Sequence, residues 1–309
     1  MNIGKKYINN PNYITILKME ENHCKYIGSM GFRKSADIYN LNSSDVNGYK
    51  FEKLKQGDIL YVKTDGVYHF SKIIDDTLSV QIVLASGCSD YTTPDDIFPN
   101  HEEFIKFVEN PKILKWYVQN CIYKHEKIVN LPIGLDYHTI YTYPIYWGAQ
   151  KTPIEQEREL LSIVQQATPF YNREIAIYSN CHFLTYTKFG GDRTDALTKI
   201  PTELMILENS PICRMETWQK QVKYAFVLSP HGNGLDCHRT WEALILGCIP
   251  IVKTSAIDAL YDDLPVLIVK DWSEITRDFL LNTIEDFKGR NFLYEKLTLE
   301  YWITNMRNI

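Results

Sequence analysis

Long apolar runs are missing from this chain of 309 residues. No stretch approaches the roughly 20 residues that a bilayer-crossing helix needs. The start, Met1-Asn2-Ile3-Gly4-Lys5-Lys6, is not followed by an apolar segment, and Gly4 is not where myristoylation requires its glycine. A soluble, cytoplasmic chain without a membrane span is therefore expected. Positive charge is not in excess: 33 Lys and Arg face 38 Asp and Glu, a net charge of −5. That balance excludes nucleic acid and anionic membrane as the main partner. Nothing in the sequence speaks to oligomeric state.

Paired cysteines are also absent. The seven (Cys24, Cys88, Cys121, Cys181, Cys213, Cys237 and Cys248) are odd in number and form no C-x-x-C pair. A disulfide framework or a zinc site needs tighter spacing, so they read as reduced thiols. No D-x-D occurs, which removes the usual carboxylate pair for a metal-bound nucleotide, and the histidines lack metal-ligand spacing. No metal and no cofactor are expected. Neither G-x-G-x-x-G nor a Walker loop is present, so dinucleotide and kinase-like readings lose support. The 21 tyrosines are scattered, as core and rim residues are, and no repeat or low-complexity tract is visible.

What remains is an ordinary globular composition, long enough for two domains. Residues 1 to about 50 are weakly patterned; Tyr13–Leu17 can form a strand, and Cys24–Phe32 has no clear period. From there, strand-type runs recur at Asp58–Thr64, Ser79–Ala85, Ile113–Val118 and Lys127–Leu131, with a helix between Asp95 and Glu109. Repeated strand-turn-helix order predicts a first α/β domain over residues 1–145. Thr142–Pro153, with two prolines, a glycine and no period, reads as the linker. A second domain over residues 154–285 begins with a helix at Glu155–Gln166 and a strand at Glu174–Tyr178. It continues with a helix at Glu216–Lys223, strands at Ala225–Leu228, Ile249–Val252 and Val266–Val269, and a helix from Trp272. The tail, residues 286–309, has apolar residues at helical spacing and can pack back on the first domain.

The stretch Tyr224–Val252, YAFVLSPHGNGLDCHRTWEALILGCIPIV, carries most of the chemistry. A buried-type strand ends in Ser229-Pro230, and a turn of His231, Gly232, Asn233 and Gly234 follows. Asp236 can cap a short helix starting near His238, which Gly247 stops. Parallel sheets bind ligands at the carboxyl ends of their strands, which is where His231–Arg239 falls. Glu242, one turn into the helix, can hold a vicinal diol such as a ribose 2′,3′ pair, or simply stabilise its helix's amino end. Gly232 and Gly234 can adopt φ > 0 and admit a diphosphate, or form a plain tight turn. Arg193 and Arg239 can pair with phosphate oxygens, or with Asp192 or Asp236. His231 can bond a phosphate or sugar oxygen, whereas His238 reads as a helix-start residue. In the first domain Asp90 and Asp65 follow strands and can serve as general base, or as turn residues.

This central stretch resembles the donor-binding domain of exostosin-like glycosyltransferases with the GT-B fold, including the segment Glu242-Ala243-Leu244 to Gly247 and Pro250-Ile251. The match spans about residues 214–255, with Arg214-x-Glu216-Thr217-Trp218, and more loosely Asn180–Arg193; Leu131-Pro132-Ile133-Gly134 is also similar. The resemblance implies two Rossmann-like domains facing each other across a cleft. It implies a nucleotide-sugar donor, UDP-sugar favoured, and a glycan, protein or small-molecule acceptor. On it, Glu242 holds the donor ribose, while His231–Gly234, Arg239 and Arg193 lie at the diphosphate. Many retaining relatives carry a second glutamate seven residues earlier; here that position is Leu235, with Asp236 beside it. The expected enzyme is therefore an inverting, metal-independent glycosyltransferase with Asp90 or Asp65 as base. An epimerase or hydrolase on the same fold, or a non-catalytic binding module, remains open.

Overall fold

The computed structural model describes residues 21–142, 147–181 and 183–309. The strand expected at Tyr13–Leu17 lies outside these residues, as does part of the expected linker. The first sheet holds β1 (Ile38–Leu41), β2 (Ile59–Lys63), β3 (Ile82–Gly87), β4 (Ile113–Val118) and β5 (Ile128–Asn130). All neighbours are parallel, and the spatial order follows the chain. Its central strands β2, β3 and β4 are mostly apolar because both faces are covered. Leu60, Val62, Leu84, Trp116 and Val118 pack under Val67, Phe70 and Ile74 of the helix Val67–Thr77 and Phe104 and Phe107 of the helix His101–Val108. The alternate residues Ile59, Tyr61, Val83, Ala85 and Tyr117 pack with Phe32, Leu299, Trp302 and Met306. Phe32 comes from the helix Ser29–Ser35, and the other three from the carboxyl-terminal helix Leu299–Arg307.

The second sheet holds β6 (Glu174–Ser179), β7 (Met205–Leu207), β8 (Tyr224–Leu228), β9 (Ile249–Lys253) and β10 (Leu267–Val269), again all parallel. Its order is β10-β9-β8-β6-β7. The chain builds outward from β6 to β7, then returns across β6 to lay down β8. That reversal makes a topological switch point between β6 and β8, the crevice where open α/β sheets bind ligands. The first sheet has no such reversal. Two parallel α/β sheets meeting across a cleft constitute the GT-B architecture.

The helix Pro153–Gln166 starts on a Thr152–Glu155 capping box with Pro153 in its first turn. Its Glu157 accepts from the backbone N–H groups of Lys25 (3.0 Å) and Tyr26 (2.9 Å) and from the Tyr137 hydroxyl (2.9 Å). At the other end of the chain, Leu299 N–H donates to the Lys25 carbonyl at 3.0 Å, and Arg307 pairs with Asp37. The helix expected between Asp95 and Glu109 begins only at His101, where Asn100 accepts the Glu103 N–H at 2.9 Å. Trp272 opens a single 3-10 turn, and the main helix, Arg277–Lys288, follows from a Thr276 cap. Among the described residues no helix is long and apolar enough to cross a membrane.

Candidate functional site

A cavity of about 240 Å³ lies at the switch point. Asn180, the first residue past β6, and Gly232–Gly234, in the turn past β8, form one side. Asp90, Ile133 and Asp136, beyond β3 and β5 of the first sheet, form the other. The cavity is thus built by the carboxyl edges of both sheets.

Its floor is the helix His238–Ile245. Trp241, Ala243, Leu244 and Ile245 are buried, whereas the half-buried His238, Arg239 and Glu242 line the cavity. Cys237 occupies the N-cap position without a side-chain cap bond, which leaves the first turn unclosed by side chains. Burial pushes the Cys237 thiol up to about 11, so it stays a thiol and not a thiolate nucleophile. Leu246 ends the helix, and Gly247 follows at φ +71°, donating its N–H to the Leu244 carbonyl at 3.0 Å. A glycine suits that left-handed position because it has no Cβ to clash.

Arg193, on the helix Gly190–Lys199, and Arg239 bring two guanidinium groups to this wall. Arg193 is held by the carbonyls of His231 (3.2 Å) and Leu184. Burial, and then the charge of Arg239, lower its proton affinity. Among the described residues neither arginine has a carboxylate oxygen within ion-pair distance, so the alternative structural pairs with Asp192 or Asp236 do not form. Arg239 Nη1 is buried without any hydrogen-bond partner. Two more orphan donors adjoin the same space: Gln221 Nε2 on the cavity wall, and Asn120 Nδ2 against Gly234. Among the described residues no buried acceptor on the cavity wall lacks a partner. Buried polar groups in native structures normally have partners, so a wall of orphan donors calls for a ligand rich in acceptor oxygens.

Glu242 is not the surface residue that one reading of the helix allowed. Its side chain is 12% exposed, and Oε1 lies 3.5 Å from Arg214 Nε. Arg214, the first residue of the helix Arg214–Gln221, also reaches the Asp136 carboxylate at 3.0 Å and the Asp136 carbonyl. One arginine therefore joins Glu242 of the second sheet's helix to Asp136 beyond the first sheet. Burial alone raises a carboxyl's pKa, but a hydrogen bond from His138 and the charges of His238 and Arg214 hold Asp136 well below the usual range. Such a carboxylate is a poor proton acceptor near neutral pH. Neither Asp136 nor Arg214 carries a local sequence signal for this role, although Arg214 lies inside the recognisable stretch.

Several residues sit differently from the sequence expectation. Asp236 does not cap the helix. It is 2% exposed, and its carboxylate accepts from Ile133 N–H (2.7 Å), Trp241 Nε1 (2.9 Å) and the Tyr261 hydroxyl (3.1 Å). Burial raises its pKa, and its own N–H donates to Asn120 Oδ1 at 2.9 Å. It borders the cavity as a staple between the halves, with its oxygens engaged. Gly232 and Gly234 do not adopt the left-handed conformation; among the described residues Gly57, Gly134, Gly148 and Gly247 do. They are needed for space instead. A Cβ at Gly232 would lie 2.7 Å from Arg193 Nη2, and one at Gly234 2.8 Å from Asn120 Nδ2. His231 does not line the cavity: its Nδ1 (3.2 Å) and N–H (2.9 Å) are bound to Asp192. His238 takes the lining position, with Nδ1 2.6 Å from the Gly134 carbonyl. That contact places the proton on Nδ1 and leaves Nε2 as the free nitrogen. Asn233 lines the cavity and is exposed.

The two base candidates separate. Asp90 is exposed and lines the cavity. Asp65 sits in the 3-10 turn Thr64–Gly66, 3.9 Å from Lys63, and does not line it. Among the described residues no group of three or more His, Cys, Asp or Glu side chains is gathered as metal ligands would be.

No protein-family model matches the chain, and no curated protein does. Among solved structures, an alpha1,3-fucosyltransferase is similar at 13% identity with a TM-score of 0.38, over 86% of this chain and 93% of that one. An alpha1,3-fucosyltransferase with GDP-fucose is similar at 13% identity and a TM-score of 0.38, over 90% and 94%. One with GDP is similar at 12% identity, with the same TM-score and coverage as that GDP-fucose structure. The architecture of this chain rests on its own two sheets.

Proposed function

We propose that the chain is a glycosyltransferase that moves a sugar from a nucleoside-diphosphate sugar to an acceptor hydroxyl. One observation carries this reading: Glu242 faces a cavity at the switch point, beside two arginines that have no carboxylate partner. A ribose diol gives a carboxylate two donors, and Arg214 leaves Glu242 acceptor capacity to receive them. A diphosphate gives Arg239 and Arg193 the oxygens they lack, at a helix start whose dipole favours negative charge. The cavity is smaller than the about 300–1,000 Å³ of whole-ligand pockets. It suits the ribose and diphosphate, leaving the sugar toward the acceptor side.

Catalysis then rests on stabilising the departing diphosphate, since electrostatic preorganisation is usually the largest contribution. The acceptor oxygen bonds to the anomeric carbon as that carbon's bond to the β-phosphate oxygen breaks. The electron pair leaves with the diphosphate, toward Arg239 and Arg193. Asp90, exposed on the opposite wall, takes the acceptor's proton. Attack from that wall, opposite the leaving group, inverts the anomeric centre, and the arginines supply the counter-charge without a metal. A uridine diphosphate sugar is the first donor to try. The domain assignment follows: residues 154–285 hold the donor, residues 1–145 present the acceptor, and residues 286–309 brace the first half.

A thermal-shift screen of nucleoside diphosphates and their sugars tests the binding part, because a ligand of the native state raises the midpoint by mass action. Proton NMR of the matched donor with simple sugar acceptors tests the reaction. A new glycosidic linkage supports the proposal. An epimerised donor and no linkage would show that the site performs another reaction, and no shift with any nucleotide would remove the donor assignment.

A further inference from the structure

We propose that the chain holds a second ligand site, an anion pocket for a small phosphate monoester whose body is a ring; it stands apart from the nucleotide-sugar reading above. The pocket is a cavity of about 630 Å³ that shares no lining residue with the one at the switch point. The edge strand β5 forms one wall and the carboxyl-terminal helix Leu299–Arg307 another. The turn Asp258–Tyr261, beyond β9, closes the third side. Both halves and the tail thus contribute. The chain carries a net charge of −5, yet among the described residues no Asp or Glu lines this cavity. Lys124, His125 and Lys296 do.

The backbone fixes which way two of the lining groups face. His125 Nδ1 accepts the Lys127 N–H at 3.1 Å, so the ring's proton sits on Nε2 and that nitrogen donates. Asn130 Oδ1 accepts the Cys121 N–H at 3.1 Å, so its amide cannot turn and its NH₂ is left to donate. Neither donor has a partner, and neither is among the atoms shut off from solvent. Lys296 is 7% exposed, and lysines are rarely that buried without a carboxylate. Its Nζ donates to the Asp262 carbonyl at 2.6 Å, and no carboxylate oxygen lies within ion-pair distance among the described residues. Burial lowers its proton affinity, against which the charges of Asp262 and Asp263 act from farther off. An ammonium has three donors, so Lys296 keeps two in hand, and the exposed Lys124 adds a second positive charge. Two cations and two fixed neutral donors, with no carboxylate on the wall, match a dianion with several acceptor oxygens. The half-buried rings of Tyr123 and Tyr301 line the same cavity and offer apolar faces to the ligand's ring.

Calorimetric titration of the full chain with phenyl phosphate, and with phenol as the uncharged control, tests this. Phenyl phosphate should bind at least about tenfold more tightly than phenol. The arginines of the first cavity also attract anions, so two variants locate the binding. Lys124→Glu, a change at an exposed side chain, should weaken phenyl phosphate at least about tenfold, whereas Arg239→Gln should leave that binding unchanged. His125→Leu provides a second variant should the first fold poorly. No binding of phenyl phosphate at millimolar concentration, or phenol binding as tightly, overturns the anion pocket. So does phenyl phosphate binding that survives Lys124→Glu in full; its loss on Arg239→Gln instead would place the anion in the first cavity.

Discussion

Replacing Glu242 with glutamine isolates the interaction on which the donor site depends. The change keeps side-chain volume and one acceptor oxygen but removes the negative charge. Arg214 loses its 3.5 Å ion pair with Glu242 yet keeps Asp136, so the buried guanidinium is not left uncompensated and the chain should fold. Hydrogen bonds to charged groups contribute about 1.5–3 kcal/mol each, against about 1 kcal/mol for neutral ones. Two ribose hydroxyls passing from carboxylate to amide should therefore cost about 2–3 kcal/mol, or roughly 30- to 150-fold in Kd. Removing a negative charge near a diphosphate acts in the opposite sense, but Arg214 already offsets that charge in the wild type. The assay is titration calorimetry with the best-bound nucleoside diphosphate and its 2′,3′-dideoxy analogue. In a double cycle, the dideoxy analogue should bind the wild type much more weakly than the parent nucleotide does, and the variant with a clearly smaller penalty. A folded Glu242→Gln chain with unchanged affinity refutes the reasoning, as does a dideoxy penalty that survives the substitution in full.

Three further outcomes are expected. Asp90→Asn should lower turnover by about 10²–10⁴ with donor affinity unchanged, whereas Asp65→Asn should match the wild type; the reverse pattern in steady-state kinetics would exchange their roles. Gly234→Ala should destabilise the fold by about 1–3 kcal/mol in urea titration, because its methyl would meet Asn120 Nδ2 at 2.8 Å; a neutral result would mean that Asn120 can yield. Burial pushes Glu21 up to about 7 although Lys34, His138 and the N–H groups of Met30 and Gly31 act against it. A raised carboxyl pKa means that the folded state holds a proton the unfolded state has lost, so stability should fall as pH rises from about 4.5 to about 7, by roughly 3 kcal/mol. Glu21→Gln should flatten the thermal midpoint over that window, and an unaltered slope would locate the titration elsewhere.

The elements nearest the site were legible because their signals are local. The run from Tyr224 to Val252 shows a strand, a turn, a short helix and a second strand as a succession of apolar blocks, and Gly247 marks the helix end because the left-handed position there favours a residue without Cβ. Other elements were not anticipated, among them β1 and β7, of four and three residues. The helix Val67–Thr77 did carry a signal, with Val67, Phe70 and Ile74 at i, i+3 and i+7. Local reasoning misjudged Asp236 for a different reason. An aspartate just before a helix reads as a cap from any one-dimensional window, yet Ile133 and Tyr261 from other segments, together with Trp241 of the helix itself, claim its carboxylate.

Composition and periodicity determined the α/β class, the two-part organisation and the placing of Glu242 and Arg239 on one helix, since each depends on neighbours within a few turns. Tertiary structure decided which of these residues share a cavity. Arg214 and Asp136 meet across 78 positions of sequence, Asp90 reaches the cavity and Asp65 does not, and His238 replaces His231 at the wall. Such pairings are set by how strand ends converge when two sheets dock, and docking is governed by packing between segments that no local pattern connects.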